Sequence, residues 1–510
     1  LGVPLSAPAA DAAIEEVFSI DEYRVLGVTA LPAPQVERAV YEFSGPGKTV
    51  ADVEQARQSL ERAYRDAGYG TVFVDIPEQT IAAGIVRLQV TEGKLDRVRI
   101  TGARYTSAAD LRERLHVLER GALLHLPTVR DQLAAAARDV PGRSVTPVLK
   151  SGRSPGTLDM ELKVEDHLPV DASFEVNNRY TADTTETRVG ITAGYNNLFQ
   201  RGHSLSVQGQ FAPEQMEDSR VLAATYLARF RDSDNVLAVY VVDTDSEIAT
   251  LSALSVLGRG RIYGTRFISP MKTSGTWAHT MTYGLDYKDF LEDIRAGTAP
   301  GQQTPISYLH GSTGWSTIHR TDNSTSALGL NAGFGLRRVF NSSEEFEARR
   351  LHAQPGYFYL RLNGQHEHLI FGGLRLFGRL TTQLADQPLI PNEQFSIGGA
   401  DTVRGYLESE ALGDYGFAST LELRSPSWPL WPAAKSTRFS VYGFADAGIV
   451  GLVSPLGQAR RVDLSSVGLG TRVGGDEGMS AVLDFAWPLV PGSRTQAEDS
   501  RLHFNLRYDF

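Results

Sequence analysis

Along residues 170–177 apolar and polar side chains alternate with a period of two: Val170, Ala172, Phe174 and Val176 fall on one face, and Asp171, Ser173, Glu175 and Asn177 on the other. The same period closes the chain, where Leu502, Phe504, Leu506, Tyr508 and Phe510 interleave with Arg501, His503, Asn505, Arg507 and Asp509. Packed into a protein core, each unpaired ion of that polar face would cost several kcal/mol. Facing water inside a barrel it costs little. Segments of this kind begin near residues 170, 185, 204, 219, 236, 257, 277, 306, 325, 356, 372, 416, 437, 464, 479 and 501. The pattern therefore predicts an all-β transmembrane barrel of about sixteen antiparallel strands over residues 169–510, an even number that leaves both ends on one side of the membrane. One long connection, residues 385–415, interrupts it.

Ahead of Leu168 and Pro169 the period is helical. Residues 1–16, rich in Ala and Pro, read as a tail. Residues 17–93 then give a strand (SIDEYRVLGV), a short helix at Pro34–Tyr41 and a longer one capped by Thr49 with Asp52 three residues on. Val53, Leu60, Ala63 and Tyr64 share a side of that helix, and Gly68 stands where a left-handed residue ends it. Strands TVFVDIP and GIVRLQVTEG complete the unit. Residues 94–168 repeat the order with a strand at Leu95–Thr101, helices at Ala108–Leu118 and Pro127–Arg138, and strands at Ser144–Leu149 and Thr157–Val164. Two tandem α+β units thus precede the barrel.

Composition narrows the classes. A chain of 510 residues exceeds one ordinary domain. No apolar run reaches the roughly 18 to 20 residues of a membrane-spanning helix. A mean hydropathy of −0.21 neither favours nor excludes a barrel, whose strands average lipid-facing and water-facing positions. The absence of cysteine removes disulfides, thiol catalysis and Cys-ligated metals, and suits passage through an oxidising periplasm. A formal charge of −10 argues against nucleic acid as a partner. The first residues lack a basic and apolar leader, which implies that a signal peptide has been removed.

Within the long connection, FSIGGADTVRGY places Gly398 and Gly399 at a tight bend before Val403, Arg404, Gly405 and Tyr406. It reads either as an ordinary extracellular loop or as a functional arm. Downstream, Phe439, Val441, Gly443, Ala445 and Ala447 form one strand face, so Arg438, Ser440, Tyr442, Phe444 and Asp446 point the other way, into the lumen. Asp446 can take Arg404 in a bidentate pair if the loop folds back; otherwise it is one more solvated wall acid. His366 and His368 share a strand face, but without a third ligand they read as a rim cluster, and no metal is expected. Gly474–Gly478 (GGDEG) reads as a turn, and Trp428, Trp431 and Trp487 as membrane-interface aromatics. No Ser/His/Asp constellation is evident, so neither enzymatic activity nor a cofactor is expected.

Further residues carry a family resemblance: Gly27-Val28-Thr29 with Leu31, Gly68-Tyr69, Pro77-Glu78-Gln79 with Gly84, Val90-Thr91-Glu92-Gly93, Asn177-Asn178, Asn197-Leu198, Val403-Arg404-Gly405-Tyr406, and Phe444-Ala445-Asp446-Ala447-Gly448. With these the chain resembles the TpsB transporters of two-partner secretion, the haemolysin and filamentous-haemagglutinin secretion and activation type. The resemblance implies that residues 17–93 and 94–168 are POTRA domains in the periplasm and that residues 169–510 form a barrel in the outer membrane of a Gram-negative-type cell. It implies that the 385–415 loop enters the barrel and that Arg404 contacts Asp446, with Phe444, Asp446 and Gly448 as the wall motif. The expected partner is a secreted exoprotein of adhesin or haemolysin type, met by strand addition at Thr71, Val72, Phe73, Val74, Asp75 and Ile76. Outer-membrane lipids and the barrel-assembly machinery, for which Phe510 is the terminal signal, complete the expected partners of a monomeric barrel. The alternatives are an insertase that assembles other barrels and a passive diffusion porin. Two features depart from the pattern: His203 stands where Asp is commoner, and 16 residues leave little room for a plug helix and linker ahead of the first domain.

Overall fold

The computed structural model describes residues 17–510 except 82, 139, 141, 183, 217, 231–232, 247, 252–253, 258, 272–274, 292, 295–301, 304, 431–435, 456, 458 and 476–477. The expected tail 1–16, Trp431 and the middle of the GGDEG turn lie outside the described residues. The chain divides into two compact units, Leu1–Pro169 and Val170–Phe510.

In the first unit, Ile85–Glu92 is the central strand of a three-stranded sheet, parallel to Glu22–Leu26 and antiparallel to Val72–Asp75. Helices Ala33–Tyr41 and Val50–Asp66 supply Val36, Val40, Val53, Ala56, Leu60 and Tyr64 to a core shared with Val72, Val74, Val86, Leu88 and Val90. Thr49 opens the longer helix in a reciprocal capping box with Asp52. Past its end, Gly68 has φ +88° and the Tyr69 N–H donates to the Tyr64 carbonyl, the wrap that a left-handed terminal residue permits. The single strand expected from Ser19 is broken at Asp21. Phe18–Ile20 pairs instead with Gly45–Lys48, a Gly-Pro-Gly stretch whose composition reads as a turn and whose pairing arises only from tertiary proximity.

The same topology recurs in Lys94–Thr101, Thr157–Glu165 and Ser144–Ser151, with helices Ala108–Arg114 and Leu126–Arg138. One device is repeated with it. Gly27 and Gly102 both have φ +83°, and at each a Cβ would collide with the carbonyl oxygen of Val90 or Val164. Two residues beyond those carbonyls stand Glu92 and Asp166. Glu92 accepts from the N–H groups of Thr29 (2.7 Å) and Ala30 (2.9 Å) and from the Tyr64 hydroxyl (3.0 Å). Asp166 accepts from the N–H groups of Arg104 (2.9 Å), Tyr105 (3.0 Å) and Thr106 (2.7 Å). Burial pushes both carboxyls up, but these donors outweigh it and hold both below the usual carboxylate range.

The second unit is a closed barrel of 16 antiparallel strands, as the period-two segments predict. Arg501–Asp509 closes on Val170–Asn177 through five residue pairs, Asn505↔Asn177 to Asp509↔Ser173. Phe174, Leu205, Leu222, Leu285, Leu421, Leu469 and Leu506 are exposed on the outer face, an apolar area far beyond what a water-soluble surface carries. The lumen is not simply wet. The connection 336–357 carries a helix, Ser343–Arg349, that the sequence pattern does not predict; seven residues are too few to display a period, although Ser342 and Glu345 form a capping box. Its Phe346, with Tyr357 and with Leu389 and Ile390 of the next connection, packs on the inward Phe290, Ile306, Tyr308 and Tyr359. Two loops therefore fill part of the barrel.

Candidate functional site

Strand Arg438–Gly451 places Tyr442, Phe444 and Asp446 on the inner wall, all buried. The connection 386–414 returns into the lumen and brings Arg404 onto that wall. Nε of Arg404 donates to Asp446 Oδ2 at 2.8 Å and Nη2 to Oδ1 at 2.9 Å, and the Arg404 backbone N–H adds a third bond at 3.1 Å. Nη1 donates to Glu422 Oε1 at 2.9 Å and lies 3.5 Å from Asp484 Oδ2. Cζ sits 3.4 Å above the Phe444 ring. Every face of the guanidinium is thus matched, as a buried cation needs in order not to be a net penalty.

Neighbouring motif residues hold the fork in place. Gly405 has φ +94°; a Cβ there would stand 3.1 Å from Pro488, and its N–H donates to His503 Nε2 at 2.9 Å. The Tyr406 hydroxyl lies 2.7 Å from the Val490 carbonyl and 2.9 Å from that of Ser465. Val403 and Tyr406 are fully buried with Ile397, Val450 and Leu464. Gly448 leaves the space that Val403 uses. At the loop's root, Asp414 receives Arg350 in a bidentate pair and the N–H groups of Leu389 and Val453, while Glu393 receives Lys288 at 2.5 Å and the Tyr308 hydroxyl at 2.7 Å.

Sequence reasoning singled out Arg404 and Asp446 but missed Glu422, Asp484, His503 and the arginines at 424 and 472. Glu422 also receives Arg424 at 2.7 Å and Arg472 at 3.1 Å, so Arg404, Arg424 and Arg472 converge on Asp446, Glu422 and Asp484, and Arg424 extends the network to Glu367. Their common face is fixed by register, Glu422 opposite Phe444 and Asp484 opposite Gly470, which a single sequence does not display.

The other singled-out residues lie elsewhere. Thr71–Ile76 encloses the edge strand Val72–Asp75, with Phe73 and Ile76 exposed. Its outward backbone groups are partly occupied: the Val74 N–H donates to Glu61 at 3.1 Å and its carbonyl accepts from Arg57 at 3.1 Å. Leu126, Val129, Leu133, Val145, Leu149 and Met160 line an apolar groove of about 930 Å³ that reaches Gly68 and Gly70, just ahead of that segment in the chain. Phe510 is exposed and its N–H donates to the Ala172 carbonyl at 2.9 Å. Trp428 and Trp487 are partly exposed, and His203 lies 2.6 Å from the Tyr226 hydroxyl.

Comparison with known proteins gives the family and the fold. The family described as haemolysin secretion/activation protein ShlB/FhaC/HecB matches residues 156–473, more than half of the chain, and the POTRA domain of ShlB type matches residues 18–93. The outer membrane transporter CdiB of Dickeya dadantii (strain 3937) is 23% identical over 406 residues, covering 74% of this chain and 67% of its own. The heme/hemopexin transporter protein HuxB of Haemophilus influenzae (strain 86-028NP) is 19% identical over 389 residues, covering 75% and 67%. Among solved structures, CdiB from Escherichia coli superposes with TM-score 0.66 at 17% identity, covering 99% of this chain and 93% of its own. BamA from Haemophilus ducreyi lacking POTRA domains 1–3 gives 0.59 at 14% identity, covering 97% and 100%; both likenesses are of fold. With its barrel, its POTRA match and the Val403–Tyr406 loop seated on Phe444, Asp446 and Gly448, the chain belongs to the haemolysin secretion/activation family ShlB/FhaC/HecB, outer-membrane transporters of the TpsB type.

Proposed function

We propose that this transporter exports its partner exoprotein through a pore that the 386–414 loop holds shut, with Arg404 as the latch. Secretion of a partner polypeptide across the outer membrane is the function of the family, and the periplasmic POTRA region and barrel are the parts that perform it. The observation that carries the gating role is the buried fork of Arg404 on Asp446 inside the lumen. A polypeptide needs the space that this loop occupies. Polar latch contacts can be exchanged for water as the loop leaves, whereas Val403 and Tyr406 must be drawn off Val450 and Leu464, so the apolar seat adds to the hold of the latch. The family assignment favours export over insertion of other barrels, and the packed loops in the lumen argue against a passive porin.

Residues 94–168 act as a second POTRA domain, supported by the repeated topology and the paired Gly27/Glu92 and Gly102/Asp166 devices. The client is an adhesin- or haemolysin-type exoprotein, recognised in extended form along Thr71–Ile76. That edge carries open backbone groups once the Arg57 and Glu61 side chains swing away, and the neighbouring groove accepts apolar side chains. The barrel is monomeric, and Phe510 presents it to the assembly machinery. Arg404→Ala tests the role of the fork: without it the loop has no defined seat and obstructs the lumen in many positions, secretion of the exoprotein falls on the order of tenfold, and the barrel still assembles. Normal secretion by that variant removes Arg404 from the mechanism.

A further inference from the structure

One ladder row crosses the barrel wall from Trp277 through His319, Ser326, His366 and Gly378 to Leu421 and Ala445. Leu421 is 53% exposed on the lipid side, and Glu367, between His366 and His368, turns the other way to Arg375 and Arg424. Both histidines therefore face lipid. They stand at the end of Phe358–Leu369 that leads into the short connection 370–374, the same end of the barrel as Val170 and Phe510, which is the periplasmic end. His366 Nδ1 lies 2.8 Å from Ser326 Oγ, and the His368 ring stacks on it at 6.0 Å and 14°. Imidazole facing hydrocarbon without a polar partner is costly, whereas at the headgroup level it has one.

Beside these polar groups a groove of about 730 Å³ runs across neighbouring strands of the outer wall, past Leu328, Leu380 and Leu421. Gly364, Gly378 and Ala447 form its floor. A Cβ at Gly378 would meet nothing within 4 Å, and one at Gly364 only Leu328 at 3.7 Å, so the groove is open where side chains are missing. We infer that this is a phospholipid site: an acyl chain lies in the groove, and the phosphate diester of a periplasmic-leaflet glycerophospholipid meets the His366–His368 pair. The occupant follows from continuity, because the groove opens on a wall already in contact with the bilayer and its polar end, His366 with Ser326, lies toward the periplasmic end of the strands. The inference rests on the outer-membrane location. It leaves the export reading untouched. The strands behind the groove are those that carry Glu422 and Asp446 inward.

The full-length transporter, reconstituted in vesicles of phosphatidylethanolamine and phosphatidylglycerol and re-extracted in mild detergent, retains bound phospholipid measurable by native mass spectrometry. Gly378→Leu, whose Cβ meets nothing within 4 Å, occupies the groove and lowers retention about tenfold, while His366→Ala lowers it and erases any headgroup preference. Gly209→Leu, on a lipid-facing position of another sector with nothing within 4 Å, leaves retention unchanged. Heat-modifiable migration confirms that each barrel is folded. Undiminished retention in Gly378→Leu, an equal loss in Gly209→Leu, displacement by inorganic phosphate alone, or loss of a two-copy assembly in place of lipid overturns the site.

Discussion

Val403 and Gly448 interlock: a Cβ at Gly448 would stand 2.9 Å from Val403 Cγ2, so the loop motif reaches the wall only because the wall motif has no side chain there. With Phe444 under the Arg404 guanidinium and Asp446 in its fork, each residue of the wall motif answers one of the loop motif. This complementarity yields the first expectation. Gly448→Ala costs about 1–3 kcal/mol by overpacking, and Val403→Ala on top of it recovers part of that loss. Thermal unfolding of the two single variants and the double variant measures the coupling; additive losses exclude the interlock.

Arg404→Lys keeps the charge but loses the fork. A single ammonium cannot serve both Asp446 oxygens and Glu422, so the variant behaves closer to Arg404→Ala than to the parent in channel opening in planar bilayers. Removing the cation altogether leaves buried acids unpaired, a loss of about 3–5 kcal/mol that Asp446→Asn relieves in part. Wild-type opening statistics in Arg404→Lys count against a geometric latch.

At the client edge, Arg57→Ala combined with Glu61→Ala frees both outward groups of Val74. Affinity for an extended client segment rises several-fold, and the exposed edge becomes more prone to self-association. Isothermal titration with the client's secretion module reads this out; unchanged affinity moves recognition away from Thr71–Ile76.

Glu92 and Asp166 tie the turn of each domain as carboxylates. Both are depressed in the folded state from ordinary values of 4.5 and 3.8, so their contribution is complete above those values and is lost as pH falls through the lower folded ones. Hydrogen exchange at Thr29, Ala30 and Arg104–Thr106 stays slow down to about pH 5 and quickens below about pH 4. Glu92→Gln costs about 1–3 kcal/mol at neutral pH and flattens the response of the first domain; an unchanged pH profile refutes the tie.

The alternation of Val170–Asn177 and Arg501–Phe510 contained the barrel outright, because a strand's side-chain period is a local property and one face must meet lipid. The helices of the first unit were equally legible, since Thr49, Gly68 and the Val53–Tyr64 face are local signals. Odd-even parity also put Asp446 inside, and motif chemistry singled out Arg404. Register, loop return and packing were not local. Glu422 and Asp484 join Arg404 only through strands distant in sequence, and the Ser343–Arg349 helix is held by an apolar cluster assembled from several strands and two loops. The Arg57–Glu61 clasp required a helix to lie against a strand edge. What the amino acids determined alone was each strand's two faces; which charges meet across the lumen was decided by closure of the barrel, because only closure brings those faces within hydrogen-bonding distance.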